Sequence, residues 1–433
     1  MQRRTRSCLA LFVTVPVVMT LTSCGPQARD VPPGDTATGT LPASQVVRAE
    51  VMLAEARAVA DVVDAADVLG LDLINEGAGT TTVTSPASLQ VALSMAAEGA
   101  EGQTLAELEA IIGAEGADRS EAINALTATL EEFDGDPALV QDDELPETPL
   151  VHRADRLVMD DSLDVRQDFV DALTVNYGAT ADVTDLAGPA GKKVLDEWVN
   201  EHTGGLVPES AIQPTDTLRL VLQDAIVLAA RWEAPFAASL TTPQDFTLPG
   251  GETVTVDMMT TGRAREVYYA EVEGWQAVRL PYTGGRLHAD IVLPPEGSAP
   301  TAMSPAVLGQ IRAILDREER VAVILSMPVA DTRSALDLKP YLTDHAPAAL
   351  DGGFSGISDT SLTIEQAFQQ GVLRIDEEGT VAAAVTEIGF GESGMAEPPL
   401  EFSVDRPYLV RIADGETGWP LFLAHITDPR STD

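Results

Sequence analysis

Ser393 lies between Gly391-Glu392 and Gly394, a small-residue setting that could present a nucleophile. A serine attacks only when a base takes its proton and a third group orients that base. The five histidines, His152, His202, His288, His345 and His425, sit in unrelated contexts, and Met395 stands where a Gly-x-Ser-x-Gly turn needs its last glycine. The acidic runs Asp142-Asp143-Glu144 and Asp160-Asp161 lack the spacing of a calcium loop. Gly250-Gly251 and Gly284-Gly285 read as turns rather than phosphate cradles. No catalytic constellation, metal or cofactor is expected, and the chain is not read as an enzyme.

The remaining reactive candidates are two cysteines, Cys8 and Cys24. Arg3, Arg4 and Arg6 precede an apolar run, Leu9 to Leu21, of signal-peptide rather than membrane-span length. It ends in Leu21-Thr22-Ser23-Cys24, which resembles the lipobox of bacterial lipoproteins. That resemblance implies a signal peptide over 1–23, lipidation of Cys24, and export to the extracytoplasmic face of the membrane or release from it. An ordinary secretory signal with an incidental cysteine is the other reading. Cys8 leaves with the signal peptide, and one remaining cysteine can form no internal disulfide. Residues 24–45, rich in Pro, Gly and Thr, read as a flexible tether, and 46–430 as one folded domain.

Charge narrows the partners. With 27 basic against 68 acidic residues the formal net charge is −41. Such a field repels phosphate backbones and sulfated chains, so neither nucleic acid nor a heparin-like activator is expected. The rest is ordinary globular composition, 45% hydrophobic and 22% charged.

The elements that would carry any site divide along the chain. Val46 to Leu73 has helical spacing, enough for one or two helices. Thr80 to Thr84 is strand-like, and Ser85 before Pro86 is a helix start. Gln103 to Ile112 and Ser120 to Phe133 continue the helices. Leu218 to Ala230 suits a strand buried on both faces. Short strands follow at 254–259, 266–269, 276–280, 288–293, 320–327 and 371–375, and two more at 408–413 and 421–426. Helices first and strands later, without regular βαβ alternation, is α+β.

One segment has no evident sheet. Asp376 to Phe390 makes an acceptable buried strand, yet it runs into the glycine- and proline-rich Gly391 to Pro399. Its even set, Thr380, Ala382, Ala384, Thr386, Ile388 and Phe390, is uncharged, whereas Glu387 falls on the other face. Ala382, Ala383 and Ala384 are small enough to slide between neighbouring strands, and Gly379 offers the backbone freedom of a pivot.

These pieces resemble one family. "VTSPASLQVALSMAAEGAEGQTLAELEAIIG", "VNEHTGGLVPE", "LVLQDAIVLAARWEAPF", "VRLPYTGGRLHADIVLP", "IDEEGTVAAAVTEIGF" and the C-terminal "FSVDRPYLVRIADGETGWPLFLAHITDP" match, in order, segments of the serpins over roughly 46–430. The resemblance implies helices around a large, mostly antiparallel sheet with smaller sheets, and an exposed reactive-centre loop at about 377–400. It also implies a monomeric suicide inhibitor that forms a covalent complex with a serine, or cysteine, protease. Glu377, Glu378, Gly379, Thr380, Ala382, Ala383, Ala384 and Thr386 would be the hinge. Ser85, Ser88, Asp224, Trp232 and Gln369 would lie where the sheet opens. The usual offset places the cleaved bond at Ser393-Gly394, with Phe390 and Met395 as alternatives. No Arg or Lys lies between Gly379 and Glu401, so the target is expected to be elastase-, subtilisin- or chymotrypsin-like rather than trypsin-like. Two departures stand out. Asp224 and Gln369 replace the family's Asn and His, and are read as a swapped hydrogen-bonding pair. Val329 replaces a Lys, so Glu377 is expected to lack a salt bridge. The rival reading is a non-inhibitory member acting as a surface-tethered binding or scaffold module.

Overall fold

The computed structural model describes residues 39–40, 47–77, 79–142, 144–317, 319–380 and 398–430. The signal peptide, Cys24, and loop residues Ala382, Ala383, Ala384, Thr386, Phe390, Ser393, Gly394 and Met395 lie outside the described residues.

The first half runs β1 (Gly39–Thr40), α1 (Val59–Glu76), β2 (Thr82–Thr84), α2 (Pro86–Ala97), α3 (Gly102–Ile112), α4 (Gly116–Ala128), β3 (Leu150–Asp160), α5 (Gln167–Tyr177), β4 (Thr180–Thr184), α6 (Pro189–His202) and β5 (Leu220–Arg231). The second half is mostly strand: β6 (Thr242–Thr247), β7 (Thr253–Thr260), β8 (Arg265–Val272), β9 (Trp275–Pro281) and β10 (Leu287–Leu293) precede α7 (Pro305–Leu315). Then come β11 (Arg320–Pro328), β12 (Ala330–Asp337), α8 (Lys339–His345), α9 (Pro347–Asp351), β13 (Phe368–Ile375), β14 (Gly379–Thr380), β15 (Leu400–Ser403), β16 (Tyr408–Asp414) and β17 (Pro420–Ile426).

Three sheets result. β1-β4-β3-β5-β14 form one, β12-β13 a second, and a ten-stranded sheet is built from β2, β17, β16, β10, β9, β8, β11, β7 and β6 with β15 beside β11. Pairing is antiparallel except for β3 with β4 and β11 with β15. β16 and β17 are buried at every position, which explains why they are apolar apart from Arg411, Asp414 and His425.

α2 fixes the centre. Ser85 is its N-cap, its hydroxyl accepting from Ser88 N at 3.1 Å, and Pro86 takes the first turn. All but one of its twelve residues are buried, so it has no solvent face. The helix predicted from residue 46 starts only at Val59. Residues 47–58 form an irregular strap, held where Asn124 accepts from Val51 N and donates to Ala49 O. Gly39 and Thr40, within the stretch read as tether, pair with Val183 and Asp182 on the outer edge of β4.

Candidate functional site

β5 and β13 line the two sides of one slot and do not pair with each other. A cavity of about 560 Å³ lies there, lined by Leu222, Asp224 and Ile226 from β5 and by Gln369, Gly371 and Leu373 from β13. Among the described residues, only β14 pairs with that edge of β5. Two strand edges with unused N–H and C=O groups, over an apolar floor, form a receptor for an extended chain.

At one end the slot is already engaged. After β13 the chain reverses in a tight turn, in which Asp376 N donates to Gly379 O at 3.0 Å. The Asp376 carboxylate accepts from Glu378 N at 2.9 Å and from Gly379 N at 3.3 Å. Burial raises this carboxyl's pKa to about 6, with the two N–H donors opposing and Glu377 and Glu378 reinforcing the shift. Gly379 then pairs with Arg231 and Thr380 with Ala230. A Cβ on Gly379 would meet Ala230 O at 2.1 Å and Arg231 Cα at 2.8 Å. The glycine is therefore required here by close approach, its φ lying outside the left-handed region.

Trp232, which the resemblance sets where the sheet opens, is the anchor of this turn. Its backbone N donates to Glu378 O at 2.7 Å and its indole Nε1 to Asp376 O at 3.0 Å. The indole stacks on Tyr282, with centroids 4.6 Å apart and an 8° interplanar angle. Tyr282 Oη in turn lies 2.7 Å from Thr380 Oγ1, so Thr380 points into the core, as the even set requires. Phe236 N donates to Glu377 O at 2.7 Å. The Glu377 carboxylate accepts from Thr241 Oγ1 at 2.5 Å.

Midway along the slot, both walls hold the start of α2. On one side Gln369 Nε2 donates to Ser85 O at 2.8 Å, and its Oε1 accepts from Ser85 N at 3.1 Å. On the other, Ser88 Oγ donates to Asp224. Asp224 and Gln369 thus do not form the expected pair with each other; each bonds the first turn of the same helix. Asp224 faces Asp155 in the β3–β5 register, and Arg153 Nη2 reaches both carboxylates, at 2.6 Å to Asp155 and 3.2 Å to Asp224. Burial, and then Asp155, push the Asp224 carboxyl well above its usual range against the pull of Arg153. Ser334 on β12 completes the frame, donating to Val83 O and accepting from Val83 N, both at 2.9 Å. Arg153, Asp155, Ser334, Thr241 and Tyr282 went unnoticed in the sequence. For Arg153 and Asp155 a signal existed: alternating charges in a run flanked by Leu150-Val151 and Leu157-Val158-Met159.

The outer face of β3 and β5 is covered by α6. Arg156 Nη2 donates to Val194 O at 2.8 Å, and Gln223 Nε2 to Leu195 O at 3.3 Å. Beyond His202 the connector lines the slot and is tied to β13 and the segment before it: Ala211 N donates to Gln370 Oε1 at 2.8 Å and Gln213 N to Gln366 Oε1 at 3.0 Å.

No group of His, Cys, Asp and Glu among the described residues is arranged to hold a metal ion. None of the described helices is long and apolar enough to cross a membrane.

Comparison with known proteins agrees with this architecture. The family model described as "Serpin (serine protease inhibitor)" matches residues 65–429. A serpin-like protein of Thermococcus kodakarensis is 30% identical over 382 residues, covering 85% of this chain and 86% of that one. The serine protease inhibitor 42Dd of Drosophila melanogaster is 26% identical over 74% of this chain and 87% of its own. Among solved structures, native tengpin, a thermophilic serpin, superposes with a TM-score of 0.72 at 19% identity, covering 85% of this chain and 94% of that one. Serpin48 of the insect Tenebrio molitor gives 0.70 at 24%, covering 87% and 99%.

Proposed function

The chain belongs to the serpin family, and from that membership we propose that it is a suicide-substrate inhibitor of serine proteases that works by strand insertion. The single observation that carries the reading is the β5–β13 slot with β14 seated at one end of it. Continuing the Thr380–Ala230 pairing antiparallel along β5 places the even residues on the α2 side, where Leu228 and Ile226 already face the core. The same register brings Thr386 opposite Asp224. Continuing the Asp376–Gly379 turn back along β13 brings Thr386 opposite Gln369 as well. A hydroxyl is the one group small enough and polar enough to meet both.

In this mechanism the chemistry belongs to the target. Its serine Oγ attacks the carbonyl carbon of Ser393, the Ser393–Gly394 peptide bond breaks, and the freed amine leaves on Gly394 with a proton. The acyl ester then faces two fates, hydrolysis or insertion. Each residue zipped into the slot adds roughly 0.5–1.5 kcal/mol of net hydrogen bonding. Burying Ile388 and Phe390 adds about 1.5–3 kcal/mol apiece. A segment of about 15 residues at ~3.3 Å each carries the tethered protease about 50 Å. We further propose that the chain is exported and held at the membrane through a lipidated Cys24.

Incubation with elastase- and subtilisin-type proteases tests the proposal. A covalent complex of about the summed mass that survives SDS is expected. Cleavage of the loop with full retention of protease activity would overturn it and favour the binding or scaffold role.

A further inference from the structure

α6 ends at His202, and the connector that follows is the roof under which any strand entering the slot must pass. The start of that connector is fastened to the sheet by an imidazole pair. His152, on β3, donates from Nδ1 to Asp134 Oδ1 at 2.7 Å, and its Nε2 lies 3.0 Å from His202 Nδ1. The two rings are parallel within 6°, with centroids 5.3 Å apart. Trp198, one turn earlier on α6, packs on His202 at 4.5 Å, and the Arg156 guanidinium lies over that indole at 4.9 Å. Just past the pair, Thr203 Oγ1 donates to Val199 O at 2.6 Å and accepts from Val207 N at 3.1 Å, so the helix end and the connector move as one piece.

A single proton fits between His152 Nε2 and His202 Nδ1. With one proton the nitrogens bond; with two, both are N–H groups and they repel. We infer that His152 and His202 form an acid-released clasp, in which uptake of a second proton frees the end of α6 and lets the connector lift from the slot. The other charged groups facing His202 are Asp134, Glu201 and Arg156. Burial, followed by His152 beside it, lowers the affinity of His202 for a proton, with Glu201 and Asp134 opposing that and Arg156 adding to it. The sign follows. A released state binds the extra proton more readily than the clasped one, so the clasp holds above the ordinary imidazole pKa of about 6.5 and weakens as pH falls below it.

The functional consequence, easier insertion in acid, rests on the inhibitory reading; the clasp itself does not. The test uses the full chain without any protease. Unfolding rates in urea are measured at pH 7.5 and 5.5 for the wild type, His202→Asn and His152→Gln. The Asn amide stands near the position of Nδ1, and the Gln amide near that of Nε2, so both variants can hydrogen-bond without titrating. Asp376 and Asp224 are common to all three proteins, and the comparison cancels them. The wild type is expected to speed up severalfold more than either variant on acidification, because only it gains a proton on release. Equal acceleration in all three overturns the clasp. Imidazole NMR gives a second arm: His152→Gln should raise the proton affinity of His202, and an unchanged His202 titration also overturns the clasp. Failure to trap any protease, with these pH effects intact, would sink the inhibitory reading and leave the clasp standing.

Discussion

Thr380 Oγ1 and Tyr282 Oη lie 2.7 Å apart, both buried, where β14 pairs with β5. Tyr282 is stacked against Trp232, so the first residue pointing inward meets a surface already rigid. Arginine at this point must bury a charge without a partner. Thr380→Arg is expected to keep the loop cleavable while raising the number of inhibitor molecules consumed per protease trapped by tenfold or more. Titration of residual protease activity measures it, and an unchanged ratio rules out insertion through this position.

Gly379→Ala should act on the same step by a different route. Its Cβ would sit 2.1 Å from Ala230 O, which no side-chain rotation can relieve. The pairing of β14 with β5 should break, making loop insertion slower and the variant more substrate-like. Hydrogen exchange at the amides of the β14–β5 pair is the direct readout, and protection equal to wild type would contradict it.

The charge triad of Arg153, Asp155 and Asp224 makes a pH-dependent prediction. Because the folded pKa of Asp224 is raised, the native state holds a proton that the unfolded chain gives up. The stability tied to that proton is present at low pH and is lost as pH rises from the ordinary carboxylate value toward the folded one. Asp224→Asn cannot lose that proton, so its melting temperature should gain on the wild type between pH 5 and pH 8. Arg153→Ala, which leaves two buried carboxylates without their cation, should cost roughly 3–5 kcal/mol, measured by denaturant unfolding.

Specificity should follow the loop alone. With no basic residue between Gly379 and Glu401, trypsin-type enzymes are expected to be neither trapped nor slowed. Ser393→Arg should confer trapping of trypsin, with mass spectrometry placing the new terminus at Gly394. Trapping by the wild type followed by cleavage outside Phe390–Ala396 would displace the assigned bond.

Much of the fold was legible because its strands are either wholly buried or sharply punctuated. β16 and β17 read from their apolar runs, and Ser85-Pro86 marked α2 because capping is a local property. β3 was missed. Its His152-Arg153-Ala154-Asp155-Arg156 centre looks solvated, and those charges are buried only because Asp224, Asp182 and Gln223 meet them from other elements. The partners of Asp224 and Gln369 were missed for a similar reason. Sequence placed both residues at the opening of the sheet, but pairing them directly ignored the helix start that stands between the two walls. Trp232 was set in the same region, but nothing in its neighbours announces that its indole N–H reaches the turn at Asp376.

Among the described residues the slot is seeded at one end, where Gly379 and Thr380 already sit on β5, and α6 with its connector covers its outer face further along. In the proposed mechanism entry is a zipper with a fixed starting tooth, and its tolerance for error is graded by distance from that tooth. A misfit at Ala382 stalls every later residue while the acyl bond is still open to water. The same misfit at Phe390 arrives after most of the displacement is complete. Sequence freedom in this loop should therefore widen steadily from the hinge toward the bait, independently of which protease is caught.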